Sequence, residues 1–253
     1  MSRNYKEIIN SSINDFIDYT NPLQKIMSYS LLGESKRVRS ILFLMILDYY
    51  GLNYEKYLNF SIAIEYIHSY SLVHDDLPEV DDSDFRRNRH SCHVEYGHAN
   101  ALFCGDALVT DAFGILCDCE FVKENNMIEI IKLWSRYFGS SGLVLGQFKD
   151  INKNFEYFDI IYLKTSSFFE LICITAQKIL ENSNLVDEWS LIGRYMGDIY
   201  QINDDLSDCD VSVTKEYLET KLAEEKKLLR VLINKNINQN SDLYNYILKI
   251  TDF

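Results

Sequence analysis

The sequence predicts an all-α fold, and three observations predict it. Only 2 prolines and 10 glycines interrupt 253 residues, so turn chemistry is scarce. Apolar side chains recur at three- and four-residue spacing over long stretches. No alternating apolar and polar run is long enough to build a sheet. The expectation is a single domain over residues 1–253, folded as an antiparallel helical bundle, with no internal repeat, low-complexity tract or linker to divide it.

Taken in order, Thr20-Asn21-Pro22 reads as a cap with proline at the first helical position, followed by a helix over residues 23–32 that Gly33 ends. Further helices are expected over residues 40–50, 58–76, 99–118, 127–138, 158–180, 186–208 and 217–234. Pro78 stops or bends the helix that reaches Asp76.

Composition narrows the function. Against 38 Asp and Glu stand 25 Lys and Arg, a net charge of -13, which opposes long-range attraction to nucleic acid or to an anionic membrane surface. No stretch approaches about 20 uninterrupted apolar residues, and the first twelve residues lack a secretory signal pattern, so a cytoplasmic protein without a membrane span is expected. The six cysteines, Cys92, Cys104, Cys117, Cys119, Cys173 and Cys209, form no CxxC pair and fit free thiols in a reducing compartment. His90, His93 and His98 lie close together in the chain, yet zinc wants a recurring His/Cys ligand pattern that this polar stretch does not offer.

The chemistry lies in two acidic clusters. His74-Asp75-Asp76-Leu77-Pro78-Glu79-Val80-Asp81-Asp82 closes a largely apolar helix, and Gln201-Ile202-Asn203-Asp204-Asp205-Leu206-Ser207-Asp208 places Gln201, Asp204 or Asp205, and Asp208 along one helical face. Like charges packed so closely need a positive partner, and oxygen-only ligands favour Mg2+, which brings phosphate oxygens with it. Arg86-Arg87 follows the first cluster, and Lys36-Arg37-Val38-Arg39 precedes it. Cations beside carboxylates suit a diphosphate.

At these residues the chain resembles the trans-isoprenyl diphosphate synthases, and within them the bacterial farnesyl diphosphate synthase type. The run from Glu65 through Asp75-Asp76 to Asp81, with Arg86-Arg87, His93, Gly97 and Gly105-Asp106 after it, is similar to the family's DDxxxxD region. Gly146-Gln147 and Asp150 resemble its GQxxD, Lys164-Thr165 its KT pair, and Tyr200-Gln201 with Asp204-Asp205 and Asp208 its FQxxDDxxD. The resemblance implies an isoprenoid synthase bundle with a central cavity, Mg2+ as cofactor, and a homodimer. It implies that Asp75, Asp76, Asp81 and Asp204, with Asp205 and Asp208 in the second set, hold metal. Arg86, Lys164 and Gln201 would contact the allylic diphosphate, while Lys36, Arg39, His68 and Arg87 would hold isopentenyl diphosphate. Thr165, Tyr200 and Gln201 would face the allylic cation. Tyr70, about 7.5 Å down a helix from Asp75, would floor the product cavity and favour farnesyl over longer products, with geranyl diphosphate second. Core packing is its other reading.

The chain also departs from the pattern. The family's GGKRxRP stands here as Glu34-Ser35-Lys36-Arg37-Val38-Arg39-Ser40, Asn88 replaces a glycine, and the glycine-lysine loop after the second cluster has no clear counterpart, Lys215 being the candidate substitute. Two further readings therefore stay open: a catalytically weak homologue serving as partner subunit or prenyl diphosphate binder, and a class I terpene cyclase or diphosphate hydrolase. The latter would not need Lys36, Arg39 and His68.

Overall fold

The computed structural model describes residues 4–152, 155–208 and 213–252, and nearly all of them are helical. The chain divides into two units, Met1–Leu44 with Asn53–Phe121, and Met45–Leu52 with Val122–Phe253.

The first unit is built on α4 (Leu58–Asp75) and α6 (His98–Cys117), which pack along each other. Residues 60–67 of α4 are buried without a break, as expected of a helix that is apolar all round and surrounded on every side. Around this pair lie α1 (Tyr5–Phe16), α2 (Pro22–Leu31), the start of α3 (Val38–Tyr49) and α5 (Cys92–Tyr96). Asn21 caps α2 as expected, its side chain accepting from Leu23 N and Gln24 N, with Pro22 at the first helical position. Gly33 follows Leu32 rather than ending the helix in a left-handed conformation; a Cβ there would overlap the Arg89 guanidinium, which stacks 4.0 Å from the Tyr29 ring. The helix α6, though interrupted by Asp106 and Asp111, is by length and average composition long and apolar enough to cross a membrane. Core helices share that composition, and α6 lies against α4, α2 and α5. A Cβ on Gly105 would overlap the His74 ring, so glycine lets the C-terminal turn of α4 settle against α6.

Between α4 and α5 the chain makes its one described hairpin, β1 (Phe85–Arg86) with β2 (Arg89–His90), pairing Arg86 with Arg89. The two turn residues, Arg87 and Asn88, have φ of 54° and 64°. A two-residue hairpin turn of type I′ has both central residues left-handed. Asparagine tolerates that region better than most side chains, which explains how Asn88 stands where the family pattern has glycine.

In the second unit α10 (Ser167–Ile179) is the central helix, with residues 167–177 all buried. Against it lie α7 (Glu124–Phe138) and α11 (Val186–Asp208). Met127, Ile130, Trp134 and Phe138 form the single buried stripe of α7. The close approach of α11 depends on Gly193 and Gly197: a Cβ on Gly193 would sit 2.6 Å from Glu170 Cα, and one on Gly197 would overlap Ser166. The expected helix over residues 158–180 is present as α9 (Tyr157–Ile161), a π-helical turn (Tyr162–Ser166) and α10. α8 (Leu143–Asn152), α12 (Lys215–Asn236) and α13 (Asp242–Ile250) complete the unit.

Candidate active site

In the first unit the carboxylates stand where α4 ends. Asp75 is its last residue and Asp76 its cap, and the following loop folds back so that Asp81 N donates to Asp75 O at 2.9 Å and Ser83 N to Asp76 O at 3.2 Å. Asp76 is buried, Asp75 half-buried and Asp81 exposed. Arg86 in β1 grips Asp76: its Nε lies 3.0 and 3.1 Å from the two carboxylate oxygens, and a terminal nitrogen also donates to Oδ1. That hydrogen bond, followed by Coulombic attraction to Asp76, Asp75 and Asp81, raises the Arg86 pKa against the opposing effect of burial.

One residue on, Arg87 turns to a different partner. Its terminal nitrogen lies 3.3 Å from His68 Nε2. Burial, then the charges of Arg39, Arg87, Arg37 and Arg86, holds His68 well below the usual imidazole range, so the ring is neutral at pH 7. Arg87 is itself lowered, chiefly by burial. Cations crowded around a neutral imidazole form a site that an anion would relieve. Lys36 is exposed and Arg39 half-buried. Arg37, between them, is an internal strut. Its side chain is 1% exposed and reaches Glu65 Oε2 at 2.6 Å, Asn10 Oδ1 at 2.9 Å and Leu31 O at 2.5 Å. Tyr70 is half-buried on α4, its ring 5.1 Å from that of His74, and burial followed by the charges of Asp75 and Asp106 raises its pKa.

The second unit presents its groups on α11 and the π turn. Thr165 Oγ1 donates to Gln201 Oε1 at 2.8 Å, and Gln201 Nε2 donates to Asp205 Oδ1 at 2.8 Å. The Tyr157 hydroxyl donates to the other Asp205 oxygen. Asp204 is exposed. Lys164, in the π turn, pairs with Asp150. Tyr200 is half-buried with its ring 5.6 Å from Phe169. The side chain of Asp208 and residues 209–212, where the lysine loop is missing, lie outside the described residues. Lys215 begins α12 in solvent, 3.8 Å from Glu219.

Among the described residues no three His, Cys, Asp or Glu side chains converge into a ready cluster for a metal, at His90, His93 and His98 or elsewhere. His93 is buried with Nδ1 3.1 Å from Ser91 Oγ. The donors nonetheless suit a hard cation that takes only one or two carboxylates and completes its shell with phosphate oxygens and water. A further mark of a site is Gln147, whose two amide atoms are buried with no hydrogen-bond partner among the described residues. It follows Gly146, where a Cβ would come within 3.0 Å of Lys164.

The profile of the polyprenyl synthetase family matches residues 20–247, which takes in every group described above except Asn10. The chain belongs to that family. It is 34% identical over 220 residues to a farnesyl diphosphate synthase of Micrococcus luteus, covering 84% of this chain and 75% of that one. A Bacillus subtilis farnesyl diphosphate synthase is 30% identical over 208 residues, 79% and 70% of the two chains. Among solved structures, a geranyltransferase from Helicobacter pylori aligns with a TM-score of 0.80 at 26% identity, over 98% of this chain and 93% of that one. The fold alone is shared with an FPP/GFPP synthase from Zymomonas mobilis, TM-score 0.87 at 24% identity, over 97% and 94%.

The sequence motifs contain Glu65, Asp150 and Asp205 but do not say which cation or hydroxyl each one holds. Tyr157 has no motif of its own, and Glu65, which opens the first motif run, stands alone as an acidic residue in an apolar helix until Asp75. A charged residue where periodicity demands burial was the available signal for Glu65.

Proposed function

We propose that this chain is a short-chain trans-prenyltransferase that condenses isopentenyl diphosphate with dimethylallyl or geranyl diphosphate, giving farnesyl diphosphate, with geranyl diphosphate as the shorter product. The observation that carries this reading is the division of neighbouring cations in the first unit: Arg86 lies on the carboxylates, while Arg87 lies on neutral His68 near the charge of Arg39. Two differently built anion subsites suit two diphosphates. A cyclase or hydrolase acting on one diphosphate has no use for the second.

In this reading an arriving allylic diphosphate gives Arg86 a second acceptor and releases Asp76 oxygens for metal. Mg2+, held by Asp75, Asp76, Asp81 and Asp204 with Asp205 and Asp208 in the second set, would supply positive charge to the departing diphosphate. The allylic carbon–oxygen bond breaks with its electron pair leaving on the diphosphate. Lys164 adds charge to that leaving group. The isopentenyl double bond, presented by a diphosphate on Lys36, Arg39, His68 and Arg87, then attacks the allylic carbon, and a proton is lost as the new double bond forms. Thr165, Gln201 and Tyr200 offer oxygen and π density to the developing cation. Tyr70 limits the length of the growing chain. We further propose that both units act as one catalytic domain, and that the protein works in the cytoplasm as a homodimer.

Incubation of the purified protein with Mg2+, labelled isopentenyl diphosphate and each allylic starter tests the reading. A product of 15 or 10 carbons that needs both substrates and the metal is expected, and Asp75→Ala or Asp204→Ala should abolish most turnover in a folded protein. Release of diphosphate from the allylic substrate alone, undiminished without isopentenyl diphosphate, would instead favour the cyclase or hydrolase.

A further inference from the structure

Behind the π turn lies a buried carboxylate that the proposed chemistry does not use. Asp198 in α11 is 6% exposed, and one of its oxygens accepts a hydrogen bond from Ser166 Oγ, itself fully buried at the end of the π turn. The other oxygen has Arg194 Nε at 3.8 Å. Burial is the leading influence on Asp198 and raises its pKa, with Glu170 acting in the same direction; Ser166, Arg194 and Lys221 oppose it. Glu225 of α12 also feels the Asp198 charge.

Burying a carboxylate is costly, and an apolar residue of similar size at such a place is often neutral or stabilising. What the carboxylate supplies is geometry. A helical serine ordinarily bonds back along its own helix, and Ser167 does so, donating to Leu163 O at 3.0 Å. Ser166 crosses to the neighbouring helix instead. Asp198, Gln201 and Asp205 stand at offsets of three and seven on α11, and they receive in turn Ser166, Thr165 and Tyr157. The two segments are thus joined by a three-rung polar ladder running antiparallel to the chain direction of α11. Its lowest rung lies where Gly197 lets α11 approach the backbone of Ser166. The turn it secures carries Lys164 and Thr165.

We propose that Asp198 is a positioning residue that, through Ser166, sets where Lys164 and Thr165 stand for the allylic diphosphate. The kinetic consequence rests on the prenyltransferase reading; the positioning itself does not.

The decisive variant is the double substitution Ser166→Ala with Asp198→Leu, which removes both polar partners and leaves neither orphaned. It should melt at or above the wild-type temperature, yet lose about ten- to a hundredfold in kcat, the scale of a misplaced catalytic group. The KM for isopentenyl diphosphate should not move. Asp198→Asn, which keeps an acceptor for Ser166, should recover most of the rate. Amide exchange over residues 162–166 reads the positioning without any turnover. It should quicken in the double variant and stay slow in Asp198→Asn. A stable double variant with wild-type kcat and unchanged exchange overturns the proposal. Should the wild type condense nothing, the prenyltransferase reading fails, and exchange alone decides the positioning.

Discussion

The run Lys36-Arg37-Val38-Arg39 contains three cations, of which the structure buries Arg37 and leaves Lys36 exposed, so the proposed function assigns them opposite duties. Replacing Arg37 by leucine removes a guanidinium that is 1% exposed together with its bonds to Glu65, Asn10 and Leu31 O. Glu65, 2% exposed, then keeps, among the described residues, the Ser40 hydroxyl, which donates to its other oxygen. Breaking a buried ion pair from one side costs about 3–5 kcal/mol, because the surviving charge has lost its compensation. For a chain of this length about 2–4 °C is lost per kcal/mol, so the melting temperature should fall by about 6–20 °C.

Lys36→Ala is the control. That side chain is exposed, so its loss should leave the melting temperature within the small range of a surface change, about 0.5 kcal/mol. It should raise the KM for isopentenyl diphosphate by about tenfold or more, as befits a hydrogen bond to a charged group worth about 1.5–3 kcal/mol. Differential scanning calorimetry and steady-state kinetics on both variants separate the two duties. An Arg37→Leu protein that melts like wild type, or a Lys36→Ala protein that melts far below it with unchanged KM, refutes the division.

Other perturbations reach other links. Tyr70→Ala should lengthen the product, read by chromatography of the dephosphorylated prenols; an unchanged chain length places the floor elsewhere and leaves Tyr70 a core residue. Gly105→Ala sets a methyl group against the His74 ring beside Asp75, and should cost about 1–3 kcal/mol as overpacking; wild-type stability would show that α4 and α6 can separate freely there. Glu225 is pushed up to about 7 from its ordinary 4.5, first by burial and then by Asp198. The folded state therefore holds a proton that the unfolded state has released, and stability falls as pH rises from about 4.5 through about 7. Glu225→Gln should raise the melting temperature at pH 8 and leave it unchanged at pH 4; equal shifts at both values would remove Glu225 as the titrating group.

Much of the helical frame was legible because α4 and α10 are apolar all round and α7 and α11 carry clear stripes. The terminal helices were not. Both are amphipathic but short, α1 burying Ile9 and Ile13 over 12 residues and α13 burying Leu243, Tyr244 and Ile247 over 9. The hairpin was equally hidden, since two-residue strands have no alternation to read and Arg87 gives no sign that its φ will be positive. In the site, residue type marked the cations but could not divide them. Whether Arg37 or Lys36 turns inward depends on Glu65, 28 residues away, and only packing brings those two together.

The second acidic cluster carries the same lesson into chemistry. Adjacent residues on a helix point about 100° apart, so Asp204 and Asp205 cannot share a direction, and a sequence reading cannot choose between them. Asp204 is exposed, whereas both Asp205 oxygens are taken, one by the Tyr157 hydroxyl and the other by Gln201 Nε2. A metal at Asp205 would use the lone pairs those donors leave, and any shift of the carboxylate would disturb the ladder that also holds Thr165 through Gln201. In the proposed metal set Asp205 would thus have a second duty, keeping α11 aligned with the π turn that carries Thr165.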